Sequence, residues 1–189
     1  MLIIYSKTLL LSNIVTAYQT LEHRDNIDEI EMDGPFECQR NDAWLGIGYY
    51  FWDTNVEWAH SWGRTAYERI GKKYLIGSCE IDIGNQCFDL VGSVGDREVF
   101  IAAVKAMEEL VKEKGQIIVP NVLQYLKLFT GFPYKSIRSQ DIPRDTKKLK
   151  YNELRKEHTL LNQRVQICVI DKKGVLLSPF LVIHPQKKP

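Results

Sequence analysis

The chain has no cysteine pair at CxxC spacing, no HExxH, no internal repeat, no apolar run long enough to cross a bilayer, and a formal charge of only +1. Each absence excludes something. Cys38, Cys79, Cys87 and Cys168 are scattered, and three of them sit in strand-like apolar runs where a free thiol behaves as a small hydrophobe, so reduced cysteines are expected rather than a disulfide framework. His23, His60, His158 and His184 are too far apart in sequence to argue tetrahedral zinc ligation, and no metal is expected. Near-neutral charge removes the global signature of a nucleic-acid binder. The apolar N-terminus, Met1 to Leu11, has no basic region before it and is interrupted by Lys7, so it reads as a strand and not as a signal peptide. The expected location is the cytoplasm.

The 189 residues are 44% hydrophobic and 26% charged, which is ordinary globular composition, and the length suits a single domain spanning 1–189. Leu2 to Ser6 reads as a strand. Leu10 to Leu21, with Leu10, Ile14, Val15, Ala17 and Leu21 near helical spacing and Ser12 as a possible N-cap, reads as a helix. Glu22 to Asp42 is polar and acid-rich with Gly34-Pro35, a long loop. Gly46 to Trp52 is a glycine-led aromatic strand, followed by a helix capped by Asp53 or Thr54 that carries Trp58 and Trp62 and stops at Gly71. Tyr74 to Ile83 and Cys87 to Val91 are strands. Asp96 to Glu113 carries an apolar stripe ending at Gly115, and Asn121 to Phe129 follows Pro120, which suits a first helical turn. Val165 to Ile170 and Val175 to Ile183, separated by Asp171-Lys172-Lys173-Gly174, predict a hairpin.

Residues 135–156 carry eight Lys or Arg (Lys135, Arg138, Arg144, Lys147, Lys148, Lys150, Arg155, Lys156) against three acids. Such a block is either a solvated loop or a phosphate-facing patch for nucleic acid or nucleotide.

The segment Gly46-Ile47-Gly48-Tyr49-Tyr50-Phe51 combines glycines, which let a backbone approach a flat ligand, with aromatics that can stack on a ring. A Rossmann GxGxxG would need glycine where Phe51 stands. Together with Trp52-Asp53 the segment resembles the Gly-Lys-Gly-Ile-Tyr-Phe-Ala-Asp of the ADP-ribosyltransferase superfamily, in the branch of diphtheria toxin and the poly(ADP-ribose) polymerases. Ala59-His60-Ser61-Trp62 is similar to the Ala-x-x-Trp of small bacterial relatives. Gln166-Ile167-Cys168-Val169-Ile170-Asp171 resembles the Glu-Tyr-Ile-Val-Tyr-Asp strand, and Tyr5-Ser6-Lys7-Thr8 occupies the place of Tyr-His-Gly-Thr.

The resemblance implies an α+β fold of two packed, mainly antiparallel sheets around an NAD cleft with flanking helices. It places Tyr50 on the nicotinamide-stacking tyrosine, Gln166 on the catalytic glutamate and Ser6 on the ribose-binding histidine. Tyr5, Ser6, Lys7, Gly48, Tyr50 and Trp62 would bind NAD, which serves as substrate. The implied activity is mono-ADP-ribosyl transfer to a macromolecule, protein or nucleic acid, as in a bacterial or phage toxin or defence effector, with an antitoxin or regulatory protein as a further partner. Ser6 reaches less far than a histidine, and Gln166 cannot accept a proton, with Glu157 as a candidate stand-in. The alternatives are a catalytically inactive module that binds NAD, a nucleotide or a partner, and an RNA-contacting protein using 135–156. On the residues alone, Tyr50, Trp58 and Trp62 also fit core packing, Gln166 a strand surface and Ser6 a strand end.

Overall fold

The structure, a computed structural model, describes residues 13–110, 117–141, 148–150, 158–160 and 163–185. Tyr5, Ser6, Lys7, Gly115, Glu157 and the Leu2–Ser6 strand lie outside them. So do Arg144, Lys147, Arg155 and Lys156 of the basic block.

The chain is α+β. In sequence order it forms β1 (Ile14–Glu22), α1 (Ile27–Asp33), β2 (Tyr49–Asp53), α2 (Val56–Ala66), β3 (Tyr74–Asp82) and β4 (Cys87–Asp89). Helices α3 (Val94–Leu110) and α4 (Val119–Phe129) follow, then β5 (Ser136–Asp141), β6 (Lys148–Lys150), β7 (His158–Leu160), β8 (Arg164–Val169) and β9 (Leu181–His184). Seven strands make one mixed sheet in the order β4-β5-β8-β2-β1-β3-β9, and β6 and β7 form a separate ribbon. Only β4 and β5 run parallel among the strand pairs of the large sheet. The expected pair of packed sheets is thus replaced, among the described residues, by one seven-stranded sheet.

Three readings of the sequence are corrected. First, Leu10 to Leu21 is not a helix, because residues from Ile14 onward are β1, paired over nine registers with β3. The β-branched run Ile14-Val15-Thr16 favours a strand. Val15, Ala17 and Leu21 pack on one side of the sheet while Tyr18 packs on the other, a period of two that also places residues four apart together.

Second, β8 and β9 do not form a hairpin. β8 sits between β5 and β2, and β9 is the edge strand on β3. After the turn at Lys172–Gly174 the chain crosses to β3, where Val175 accepts a hydrogen bond from the Asp82 amide and Leu177 donates to Glu80. Val175, Phe180 and Val182 thereby enter the main core, and this burial outweighs the local turn signal.

Third, the start of the basic block is sheet, not loop. Lys135 donates to the Lys173 carbonyl at 2.8 Å, and Arg138 is held by two aspartates beneath the sheet. Two of the eight charges are therefore engaged by the fold's own groups.

The strand–helix unit that bears on the site is close to expectation. Thr54 takes φ +55 at the turn out of β2, and the N-cap is Asn55, one residue beyond Thr54, whose Oδ1 accepts the Glu57 amide at 3.0 Å. Helix α2 gives way to a short 3-10 turn that ends at Gly71, with φ +75, a conformation that favours glycine. Glu22 to Asp42, by contrast, is not all loop as expected: this acid-rich stretch contains α1, where burial of Ile30 against the core outweighs the polar composition.

One face of the sheet is closed by α1 and the 175–182 crossing. The other carries two separate apolar clusters, one under α2 (Trp52, Ala59, Tyr74, Ile76) and one under α3 and α4 (Phe88, Met107, Leu123, Leu126, Ile137, Cys168). Between these clusters the face is open.

Candidate functional site

β1 and β2 pair at only two registers, Ala17 with Asp53 and Tyr18 with Trp52. Beyond Tyr18 the strands part, leaving four strands on one side of the seam and three on the other. The Gln19 amide replaces the missing ladder: its Nε2 donates to the carbonyls of Phe36 (2.8 Å) and Tyr50 (3.3 Å), and its Oε1 accepts the Phe36 amide (2.8 Å). Gln19 is buried, so these bonds are formed away from water and pin the following loop.

That loop, residues 34–48, forms the wall of a cleft of about 600 Å³. It is tied twice more. Cys38 and Gly48 exchange backbone hydrogen bonds (2.8 and 3.4 Å), and the Tyr50 hydroxyl accepts the Leu45 amide and donates to the Gly46 carbonyl, both at 2.8 Å. Burial pushes the Tyr50 phenol well above its ordinary range, so it acts in this pair of bonds as a neutral hydroxyl.

The cleft floor is the open face of the sheet. Strand alternation puts Tyr50 and Trp52 of β2 on this face, and the register places Trp52, Gln166 and Ser139 in one row across β2, β8 and β5. Trp62 of α2, 39% exposed, faces Trp52 with ring centroids 6.4 Å apart. Phe36, Trp44 and Tyr67 add further aromatic wall. Phe36 and Tyr67 also border a second chamber of about 300 Å³, with Asn26, Arg24 and Ile30. Asn26 Oδ1 is buried there without a partner among the described residues. The Tyr67 phenol, half-buried, is pushed up first by burial and then by Glu22.

Gln166 has a defined orientation. The Trp44 indole Nε1–H lies 2.6 Å from its Oε1. An indole N–H only donates, so the amide oxygen must face it and the NH2 is left for the cleft. This site therefore presents a donor where a glutamate would present an acceptor. Next to it on β8, Arg164 donates to Asp141 of β5 and lies over the Trp58 ring at 5.8 Å. Asp141, Arg164 and Gln166 all line the cleft.

Of the residues singled out in the sequence, Tyr50, Trp62 and Gln166 meet in this cleft. Gly48 does not line it. A Cβ there would stand 2.6 Å from the Val169 carbonyl oxygen and 2.7 Å from Cys168 Sγ, so glycine at 48 serves strand packing. Trp58 and Trp62 are not fully buried: Trp58 donates to the Gln163 carbonyl at 3.0 Å and Trp62 lines the cleft. The strand beside β2 is β1, which supplies Gln19 and Thr20, and both side chains already have partners. Gln19 and Thr20 were hidden by the helical reading of their segment, while Trp44, a large aromatic in a polar loop, carried a visible signal. Arg164 and Asp141 had none, since only strand register brings them together.

The fold defines an α+β domain with a mixed sheet split at a seam. No family model, curated protein or solved structure matches the chain.

Proposed function

We propose that the cleft binds NAD and that the chain is an ADP-ribosyltransferase-type enzyme, transferring ADP-ribose to a macromolecule with release of nicotinamide. What carries the reading is the meeting of Tyr50, Trp62 and Gln166, drawn from three separated stretches, in one aromatic cleft. A volume of about 600 Å³ is within the range of small-molecule and cofactor sites, and the second chamber beyond Phe36 and Tyr67 gives an extended ligand a place for its other end. The seam between a four-strand and a three-strand part supports a cleft between two sheet halves. On this reading the Tyr50 ring stacks on the nicotinamide, Trp52 and Trp62 close its far side, and the Gln166 NH2 donates to a ribose hydroxyl. Loss of nicotinamide leaves an oxocarbenium-like ribose, so positioning lowers the barrier more than covalent chemistry does.

The second reading, an inactive module that binds NAD or a nucleotide, is favoured by one observation: with its oxygen turned to Trp44, Gln166 presents its NH2 to the ligand, and an amide supplies no base. Incubation of the protein with NAD, with and without a lysate containing RNA and protein, separates the two. Nicotinamide release with labelled macromolecules supports the transferase; binding without release supports the module; Tyr50→Ala consuming NAD at the wild-type rate refutes the assignment of the site.

A further inference from the structure

With Gln166 unable to accept a proton, transfer to a hydroxyl in this cleft needs a base from elsewhere. We infer that Asp141 is that base, with Arg164 as its positioning residue; the inference rests on the transferase reading above.

Among the described residues, three carboxylates line the cleft: Glu37, Asp42 and Asp141. Glu37 and Asp42 belong to the wall loop at its exposed rim, where Glu37 accepts from Gln39 and Asp42 is paired with Arg40 and 69% exposed. Asp141 is placed differently. It stands on β5, within the sheet, and its register partner is Arg164, while Ser139 is opposite Gln166. Partners across a strand pair share a face, so Asp141 is on the face of Gln166, one residue pair further along. Diagonal neighbours of this kind stand about 7–8 Å apart. Gln166 and Asp141 thus flank the same stretch of the cleft floor.

Arg164 fixes the carboxylate. Its Nη2 donates to Asp141 Oδ2, its guanidinium rests on Trp58, and the Trp58 indole is held by the Gln163 carbonyl. The Asp141 side chain is still 41% exposed, so an acceptor arriving at the mouth can reach it. Asp141 is thus, among the described residues, the one cleft carboxylate that is both held by the sheet and open to an incoming group.

In the step itself, the bond from the ribose C1′ to the nicotinamide nitrogen breaks and its electron pair leaves with nicotinamide, which becomes neutral. The acceptor oxygen forms the new bond to C1′, and its proton passes to the Asp141 carboxylate and then to water. No electrons are gained or lost by the protein. Among the described residues, the other charged groups lining this space are Arg164 on β8 and Glu37, Arg40 and Asp42 on the wall loop.

The test uses the full chain and its Asp141→Asn and Asp141→Glu variants, with NAD as the probe. Nicotinamide release is measured near neutral pH, and NAD affinity is read from quenching of tryptophan fluorescence, since Trp44, Trp52 and Trp62 line the cleft. Asp141→Asn is expected to bind NAD within about threefold of wild type and to release nicotinamide roughly 100-fold more slowly, a loss in rate and not in affinity. Asp141→Glu, with the carboxylate displaced by one methylene, is expected to release nicotinamide about tenfold or more slowly. A wild-type rate in Asp141→Asn with NAD bound overturns the role of Asp141 and leaves the transferase reading standing. If the Asn variant does not fold, an unchanged rate in the Glu variant, whose carboxylate is displaced, overturns it. A wild-type protein that neither binds NAD nor releases nicotinamide refutes the transferase reading, and one that binds without release refutes Asp141 as a base.

Discussion

Replacing Arg138 by Met isolates the electrostatics beneath the cleft floor. Arg138 sits on the face of β5 opposite the cleft, where its Nε donates to Asp53 Oδ2 at 2.7 Å and its Nη1 to both oxygens of Asp89 at 3.1 and 3.2 Å. Burial alone would pull the guanidinium down, but the hydrogen bonds and charges of the two aspartates more than offset it and leave it above its ordinary range. The partners would not suffer equally from its loss. Asp89 keeps the Val91 and Gly92 amides, whereas Asp53 is 2% exposed at its side chain and its other oxygen has no partner among the described residues. Removing one member of a buried pair costs about 3–5 kcal/mol, and since the Arg138 side chain is 18% exposed the lower end applies, about 3 kcal/mol. For a chain of this size that corresponds to a fall in Tm of roughly 6–12 °C. Urea unfolding and thermal melts would measure it, and the double variant Arg138→Met, Asp53→Leu should recover part of the loss because no charge is left unpaired. A single-variant loss below about 1 kcal/mol would refute the claim that the ion pair ties β2 to β5 from below.

Three more outcomes follow from the same geometry. Gln19→Met keeps the volume but leaves the Phe36 amide and carbonyl without their partner, so it should cost about 1–3 kcal/mol and loosen the cleft wall; hydrogen exchange at the Phe36 amide would report the loss, and unchanged protection would contradict it. Burial pushes the thiols of Cys79, Cys87 and Cys168 up to about 12, so the native protein should titrate a single cysteine, Cys38, with a thiol reagent at neutral pH, and all four after denaturation. The third concerns pH. His184 packs against His60 with ring centroids 4.8 Å apart, and burial followed by the neighbouring His60 lowers its pKa. A histidine harder to protonate in the folded state contributes stability that is present above its unfolded value near 6.5 and lost as pH falls below it. Tm should therefore drop between pH 7.5 and 5.5 by a smaller amount in His184→Phe than in wild type.

Much of the fold could be read locally. α2 and its stop at Gly71, the strand at Tyr74, α3 and the Pro120-led α4 depend on short-range periodicity and end signals, and these survive in the structure with shifts of a few residues. Tyr50 and Trp62 were picked out by the resemblance, on a glycine-led strand and the helix after it; periodicity alone also fitted both to core packing. β1 was misread because Ile14, Val15, Ala17 and Leu21 satisfy helical spacing and a strand's alternation partly at once, and only the long pairing with β3 decides between them.

What the tertiary structure decided was everything that depends on neighbours distant in sequence. Arg138 reads as part of a basic block, yet its charge is met by Asp53, 85 residues away, and Asp89. Gln166 faces a cleft, with its oxygen and not its NH2 engaged, because Trp44 arrives from 122 residues away. Asp141 and Arg164 become neighbours through the β5–β8 register alone. Periodicity and end signals are properties of a few adjacent residues and so were written in the chain itself; which strands lie side by side is settled by burial of apolar surface over the whole domain, and the cleft is formed by that arrangement.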